Sequence, residues 1–364
     1  DLVIGTFGRA AWVLDDIRPL RAMANGNVLT KNLQLFTPPT AYQAAYQQPT
    51  GSRFGGDALF NGENKRSGAM ISYYINRPAA AKEEKKEKET ARKKKRKGTK
   101  KMEAPVVKKE LASEVKFDSI KLEIFEGARL IRTLHQKAPK ENGIHRMYWS
   151  MNEKGADRPS RKIRKRTNEP RGVSVKPGIY NLKMSFGDQT SESSIKVEFD
   201  PRLEMSKEAI TEIYNASKDM EKDQQLMADV VKQLVESKNT ASAFKKNLTK
   251  EDKKSYKDQI KASKDIITKI DKLIAVYIGS VDKRQGITRN PEVTVSRRYS
   301  SARRYVGSRF GHLTTTEKQL ISQYKKALKE AISQTNAFFE TDWKAYKTSL
   351  EPIRISPFKE VQKF

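Results

Sequence analysis

The chain has 364 residues, with 73 Lys+Arg against 44 Asp+Glu and a formal charge of +29 at pH 7. That length fits about two or three domains, and its 36% hydrophobic residues are concentrated in some segments and nearly absent from others. No run approaches the ~18 apolar residues of a membrane span, the absence of Cys removes disulfides and thiolate chemistry, and His135, His145 and His312 lie in different segments, which argues against a His-rich metal site.

The first residues read directly as structure. Leu2-Val3-Ile4 and Ala11-Trp12-Val13-Leu14 are short apolar runs separated by Gly5-Thr6-Phe7-Gly8-Arg9, the pattern of a β-hairpin. A lone two-stranded hairpin is marginal in water, and Ile17-Arg18-Pro19-Leu20 leads into a polar stretch of low periodicity that supplies no further sheet. The hairpin is therefore expected to be the edge of a larger β-domain. The segment DLVIGTFGRAAWVLDDIRPLR resembles the closing segment of the BNR-repeat β-propellers related to sortilin, whose bacterial members are often labelled glycosyl hydrolase or exo-sialidase. Their pattern is GTHGR followed by a Trp and Leu-Asp-Asp; Phe7 stands here in the His position. The resemblance implies that 1–24 are the last strands of a truncated propeller and that the rest of the propeller lies upstream in the same protein as its partner. It also implies a secreted, periplasmic or cell-surface protein.

From 25 to 200 the chain reads as an antiparallel β-sandwich. Apolar or alternating runs occur at Gly68–Ile75, Ile120–Phe125, Arg129–Leu134, His145–Trp149, Gly178–Met184 and Ser194–Phe199, with turn residues between them. The order IxLEIFxxxRLIRTL, GIHRMYW, KPGIYNLKM is similar to the Ig-like domain of flagellar hook-capping proteins and to the domain behind these propellers. In that pattern Trp149 is a core anchor and Pro177-Gly178 opens the strand carrying Tyr180. Neighbours on a strand face opposite ways, so Tyr148 is expected to point outward and is a candidate for stacking on a ligand.

A basic, disordered insertion is expected at about 78–115, where apolar periodicity is missing. Within it Arg92, Lys93, Lys94, Lys95, Arg96 and Lys97 are candidate polyanion-binding residues, or simply a solvated loop between two strands. A second basic run, Arg158, Arg161, Lys162, Arg164, Lys165 and Arg166, carries the same two readings, and its last five members join the candidate set.

Helical periodicity takes over in 201–364. Ser206 is expected to cap a first helix through Leu234, Thr249 with Asp252 to cap a second through Tyr277, and Thr314-Thr315-Thr316-Glu317 to form a capping box opening a third that Pro352 stops. Each carries one apolar stripe, so the three are expected to pack as a bundle. The segment at about 284–313 reads as a long basic loop, functional or strapped over the helices. Its Arg297, Arg298, Arg303 and Arg304 are candidate polyanion-binding residues, and Tyr299 and Tyr305 candidate stacking residues.

The fold class expected is multidomain α+β: an antiparallel Ig-like β-sandwich, then an antiparallel three-helix bundle, preceded by a terminal propeller hairpin. No catalytic set is found: the sequence has no S-x-D-x-G-x-T-W, G-x-S-x-G, H-E-x-x-H or P-loop pattern. The expected function is therefore a non-catalytic accessory region, without a cofactor, that braces the propeller and presents a protein- or glycan-binding surface. One alternative is a nucleic-acid or polyanion binder driven by the charge of +29. The other is part of a propeller glycosidase whose catalytic residues lie upstream.

Overall fold

The computed structural model describes residues 1–8, 11–44, 66–77, 117–163, 168–281 and 292–353. They form two compact units, one of 1–154 with 174–204 and one of 155–173 with 205–364. The division differs from the blocks 25–200 and 201–364: residues 1–24 share a unit with the strands, and 155–173 belong with the helices. The expected insertion at 78–115 lies outside the described residues.

The first unit opens with β1 (Leu2–Gly5) and β2 (Ala11–Leu14), paired antiparallel with Leu2 opposite Leu14 and Gly5 opposite Ala11. The hairpin exit is locked by Asp16, which has a positive φ of 56°. Its backbone N–H donates to the Asp1 carboxylate (2.9 Å), and its own carboxylate accepts Arg18 Nε (2.6 Å). Here the sequence reading is corrected, because the polar stretch after Ile17 contains a helix, α1 (Arg18–Asn25), and then a 3₁₀ turn (Asn27–Thr30). Pro19 sits in the first turn of α1, where a missing N–H costs nothing.

The strands that follow in chain order are β3 (Leu33–Leu35), β4 (Ala41–Gln43), β5 (Ala69–Ile75), β6 (Ser119–Glu126), β7 (Arg129–Lys137), β8 (Gly143–Trp149), β9 (Asn152–Lys154), β10 (Arg171–Ser174), β11 (Gly178–Phe186) and β12 (Gln189–Phe199). They include a five-stranded sheet in the order β4-β12-β11-β6-β7 and a three-stranded sheet in the order β3-β5-β8. Pairing within these two sheets is antiparallel except between β12 and β4. Period two explains the five-stranded sheet: Ile120, Leu122 and Ile124 of β6 are buried, and in register they face the buried Phe186, Met184 and Leu182 of β11. Gly127-Ala128 makes the turn to β7 with Gly127 at φ 59°, a left-handed conformation that glycine adopts without a steric penalty.

Strand β5 is buried at all seven positions. Its Ile71, Tyr73 and Ile75 join the core shared with the five-stranded sheet, whereas Tyr74 packs in a separate cluster with Val28 and Phe36. The segment around α1 thus covers the outer face of the three-stranded sheet. Facing sides of the two sheets meet in one core, with Trp149 against Tyr180 and with Leu35 N–H donating to Ser191 Oγ at 2.9 Å.

The second unit holds α2 (Lys207–Glu251), α3 (Lys257–Ile278), α4 (Val295–Gly307), α5 (Thr315–Phe338), a π-helical turn (Phe339–Trp343) and α6 (Lys344–Leu350). Ser206 caps α2 as expected, accepting Ala209 N–H at 3.1 Å. The helix then runs 45 residues, about 68 Å at ~1.5 Å per residue, well past Leu234. Thr249 therefore lies inside α2, where its hydroxyl donates to Lys245 O. Asp252 alone organises the turn, accepting Lys254 N–H (2.8 Å) and Ser255 N–H (3.2 Å). The capping box at α5 is present: Glu317 accepts the Thr314 backbone N–H at 2.8 Å.

The expected three-helix bundle and the loop at 284–313 are both corrected by α4. Val295, Tyr299, Ala302 and Val306 are buried at helical spacing, and Thr294 caps the helix through Arg297 N–H (3.2 Å). Paired arginines between these positions hide the stripe from a reading by charge. Residues of α2, α3, α4, α5 and α6 contribute to one core.

Candidate functional site

Arg92, Lys93, Lys94, Lys95, Arg96, Lys97, Arg164, Lys165 and Arg166 lie outside the described residues. The other expected positions fall in distinct surroundings. Tyr148 is half-buried, and the Arg66 guanidinium lies over its ring at 4.2 Å from the centroid, so a face expected to stack on a ligand is already covered. Tyr299 is corrected as a surface stacking residue: it is buried and packs edge to face on Tyr324 at 5.5 Å. Tyr305 is exposed on α4. Lys162 is also exposed.

The four arginines of α4 separate into two flanks. Arg297 and Arg298 line a small cavity of about 230 Å³ with Val293, Ser301 and Leu320. Arg303 and Arg304 line a larger one of about 640 Å³. Helical geometry explains the second. The buried stripe is 295, 299, 302 and 306, and Ser296, Ser300, Arg303 and Gly307 repeat that spacing one residue later, so they share one flank of α4. Tyr299 from the stripe, Met227 of α2 and Ile278 of α3 form the apolar wall. Ser296 Oγ donates to Met227 Sδ at 3.2 Å, tying α4 to α2 at that wall.

Arg158, from the segment preceding β10, also lines the cavity. Its position follows from a buried glutamine. Gln224 Nε2 donates to Ala156 O (3.0 Å) and Asp157 O (3.1 Å), and Gln225 Oε1 accepts Asp157 N–H (2.9 Å). Arg161, an expected polyanion residue, instead donates to Gly279 O just past α3, which holds the other end of this segment. The segment is thus held on one side of Arg158 through its backbone to α2 and on the other through the Arg161 side chain to the end of α3, and Pro159 also lines the cavity.

Arg158, Arg303 and Arg304 are exposed, and none of their guanidiniums makes an ion pair or hydrogen bond with a described residue. Among the described residues no carboxylate lines the cavity. The acidic groups that act on Tyr299 are already engaged: Glu221 pairs with Lys218 (2.6 Å), and Asp223 accepts the Tyr324 hydroxyl (2.8 Å). Burial pushes the Tyr299 hydroxyl up to about 12, opposed by Arg303 and Arg158 and reinforced by Glu221 and Asp223. Tyr299 therefore stays neutral at physiological pH and offers a ring and an O–H. The arrangement is a cationic pocket with an apolar wall.

The sequence brought Arg303 and Arg304 into view but set them on a loop. It missed Ser296 and Ser300, whose signal was their spacing relative to the buried stripe of α4, and Gln224, which falls between Met220 and Met227 on the buried stripe of α2. Among the described residues, no group of three or more His, Cys, Asp or Glu could hold a metal ion, and no helix is long and apolar enough to cross a membrane. Comparison of the chain with family models, curated proteins and solved structures finds no match to any of them.

Proposed function

We propose that this chain is a non-catalytic accessory region attached to a sortilin-like BNR-repeat β-propeller. In this reading β1–β2 supplies the closing strands of the propeller, the two-sheet unit is an Ig-like module, and the helical unit braces the assembly and presents a protein- or glycan-binding surface. The protein would be secreted, periplasmic or at the cell surface.

The observation that carries the reading is the exposure of the hairpin. All eight strand residues of β1 and β2 are exposed, including Val3 (64%), Trp12 (65%) and Val13 (62%). A two-stranded ribbon with apolar side chains open on both faces needs more sheet at its edges and a core against its faces. A propeller blade supplies both. The test is the intact mass of the protein purified from its source. A mass well above 41.5 kDa, with propeller repeats in the additional sequence, is expected; a mature protein of 41.5 kDa overturns the reading.

The charge of +29 favours a second reading, binding of nucleic acid or another polyanion through phosphate neutralisation. Retention on heparin or DNA across a salt series separates the two. Strong salt-dependent binding that disappears with 82–101 removed favours the second.

A further inference from the structure

We propose that the 640 Å³ cavity beside α4 is a binding site for a small organic phosphate, a ligand class independent of the propeller reading. The phosphoryl group is held by Arg158, Arg303 and Arg304, and the organic part lies against Tyr299, Met227 and Ile278.

Four observations carry this. The cavity volume falls within the ~300–1,000 Å³ typical of small-molecule sites and far exceeds what a bare inorganic ion fills. Three arginines whose guanidiniums have no partner among the described residues line it, and no described carboxylate in the lining offsets them, so the site favours anions. Three positive charges match a dianion better than a monoanion, and guanidinium forks match the spread oxygens of a phosphoryl group. Finally, the site is held from below. Gln224 is buried and fixes the backbone at 156–157, and Arg158 follows directly. Tyr299 gives a flat wall for an apolar or aromatic group, while the Ser296 and Ser300 hydroxyls lie on the same flank as Arg303. An extended polyanion would engage scattered surface charge. A concave site with one apolar wall fits a compact ligand carrying a single charged end.

The experiment is calorimetric titration of the full chain with phenyl phosphate, inorganic phosphate and benzoate at fixed ionic strength. Phenyl phosphate is expected to bind at least about tenfold more tightly than either other probe, because it alone uses both halves of the site. Arg303→Gln with Arg304→Gln should weaken phenyl phosphate binding by about tenfold or more, and Arg158→Gln, on a different segment, should weaken it in the same direction. Arg297→Gln with Arg298→Gln removes the same charge from the other flank and should change binding less than about twofold. Equal losses in the two double variants would mean that net charge alone attracts the ligand, and the proposal falls. Parity of benzoate with phenyl phosphate overturns the phosphoryl assignment. Parity of inorganic phosphate overturns the role of the apolar wall. No binding of any probe overturns the site. Thermal melts accompany each variant; Arg158, Arg303 and Arg304 are exposed, and their variants are expected to melt with the native chain, while the half-buried Arg297 makes the melt of the other double variant the control for its own packing.

Discussion

Trp149 and Tyr180 meet edge to face, 5.5 Å between ring centroids and 70° between planes, one on the three-stranded sheet and one on the five-stranded sheet. Both polar tips are satisfied locally: Trp149 Nε1 donates to Asn152 O (2.9 Å), and the Tyr180 hydroxyl donates to Lys176 O (2.6 Å). The pair joins the two layers without leaving a buried donor unpaired. Trp149→Ala should lower the unfolding free energy of the strand-rich unit by about 3–5 kcal/mol, read by chemical denaturation. Tyr148→Ala, one residue earlier and facing the other way, should cost much less. Equal losses at the two positions would contradict the assignment of Trp149 to the core.

Asp200 predicts an acid limb. It is buried, and Arg202 donates to it from Nε (2.8 Å), Nη2 (2.6 Å) and the backbone N–H (3.0 Å). These bonds lower its pKa from 3.8 to about 2, hydrogen bonding from the Arg202 side chain being the largest cause. A depressed folded-state pKa means that the stabilisation is complete above the unfolded value and disappears as pH falls through the folded one. The stability gap between the native chain and Asp200→Asn should therefore be constant near neutrality and narrow between pH 3.8 and about 2. Urea titrations across that range measure it; a gap that does not change contradicts the pairing.

Helix α4 predicts that a segment rich in arginine behaves as part of a core. Thr294→Ala removes an N-cap and should cost about 1 kcal/mol. Ala302→Gly should cost at least a similar amount, since Ala302 is fully buried on the helix. Neither change would register in an unstructured loop, so the helical unit's thermal melt distinguishes the two states of this segment directly.

Gln224 predicts a link between support and binding. Gln224→Ala deletes its bonds to the Ala156 and Asp157 carbonyls and leaves both to find water, a loss of about 1–3 kcal/mol, while the Gln225 bond to the Asp157 N–H remains. Adding Gln225→Ala removes the acceptor of the Asp157 N–H as well, so faster hydrogen exchange at that amide and weaker phenyl phosphate binding should appear together. A variant that loses the amide protection and keeps full affinity would separate Arg158 from the site.

These cases show which parts of the chain were legible. Ile120, Leu122 and Ile124 alternate cleanly with charged residues, and Thr314 with Glu317 form a local hydrogen-bonded unit, so both could be read from sequence spacing alone. Residues 18–36 could not, because their role is tertiary. Val28 and Phe36 matter as cover for Tyr74 on β5, a strand distant in sequence. In α4 the apolar positions Val295, Tyr299, Ala302 and Val306 were present, but two pairs of arginines and the small Ala302 diluted the stripe. The cavity was the least legible feature. Arg158 lines the same cavity as Arg303 and Arg304 because residues distant along the chain, Gln224 above all, anchor the backbone just before it.

Backbone hydrogen exchange over β1 and β2, compared between the protein purified from its source and the 364-residue chain alone, bears most directly on the hairpin. Membership of a larger sheet should slow the amides of Val3, Ile4, Trp12 and Val13 by orders of magnitude in the source protein, while in the isolated chain the exposed ribbon exchanges rapidly. Equally fast exchange in both preparations would show that no further β-structure accepts the ribbon.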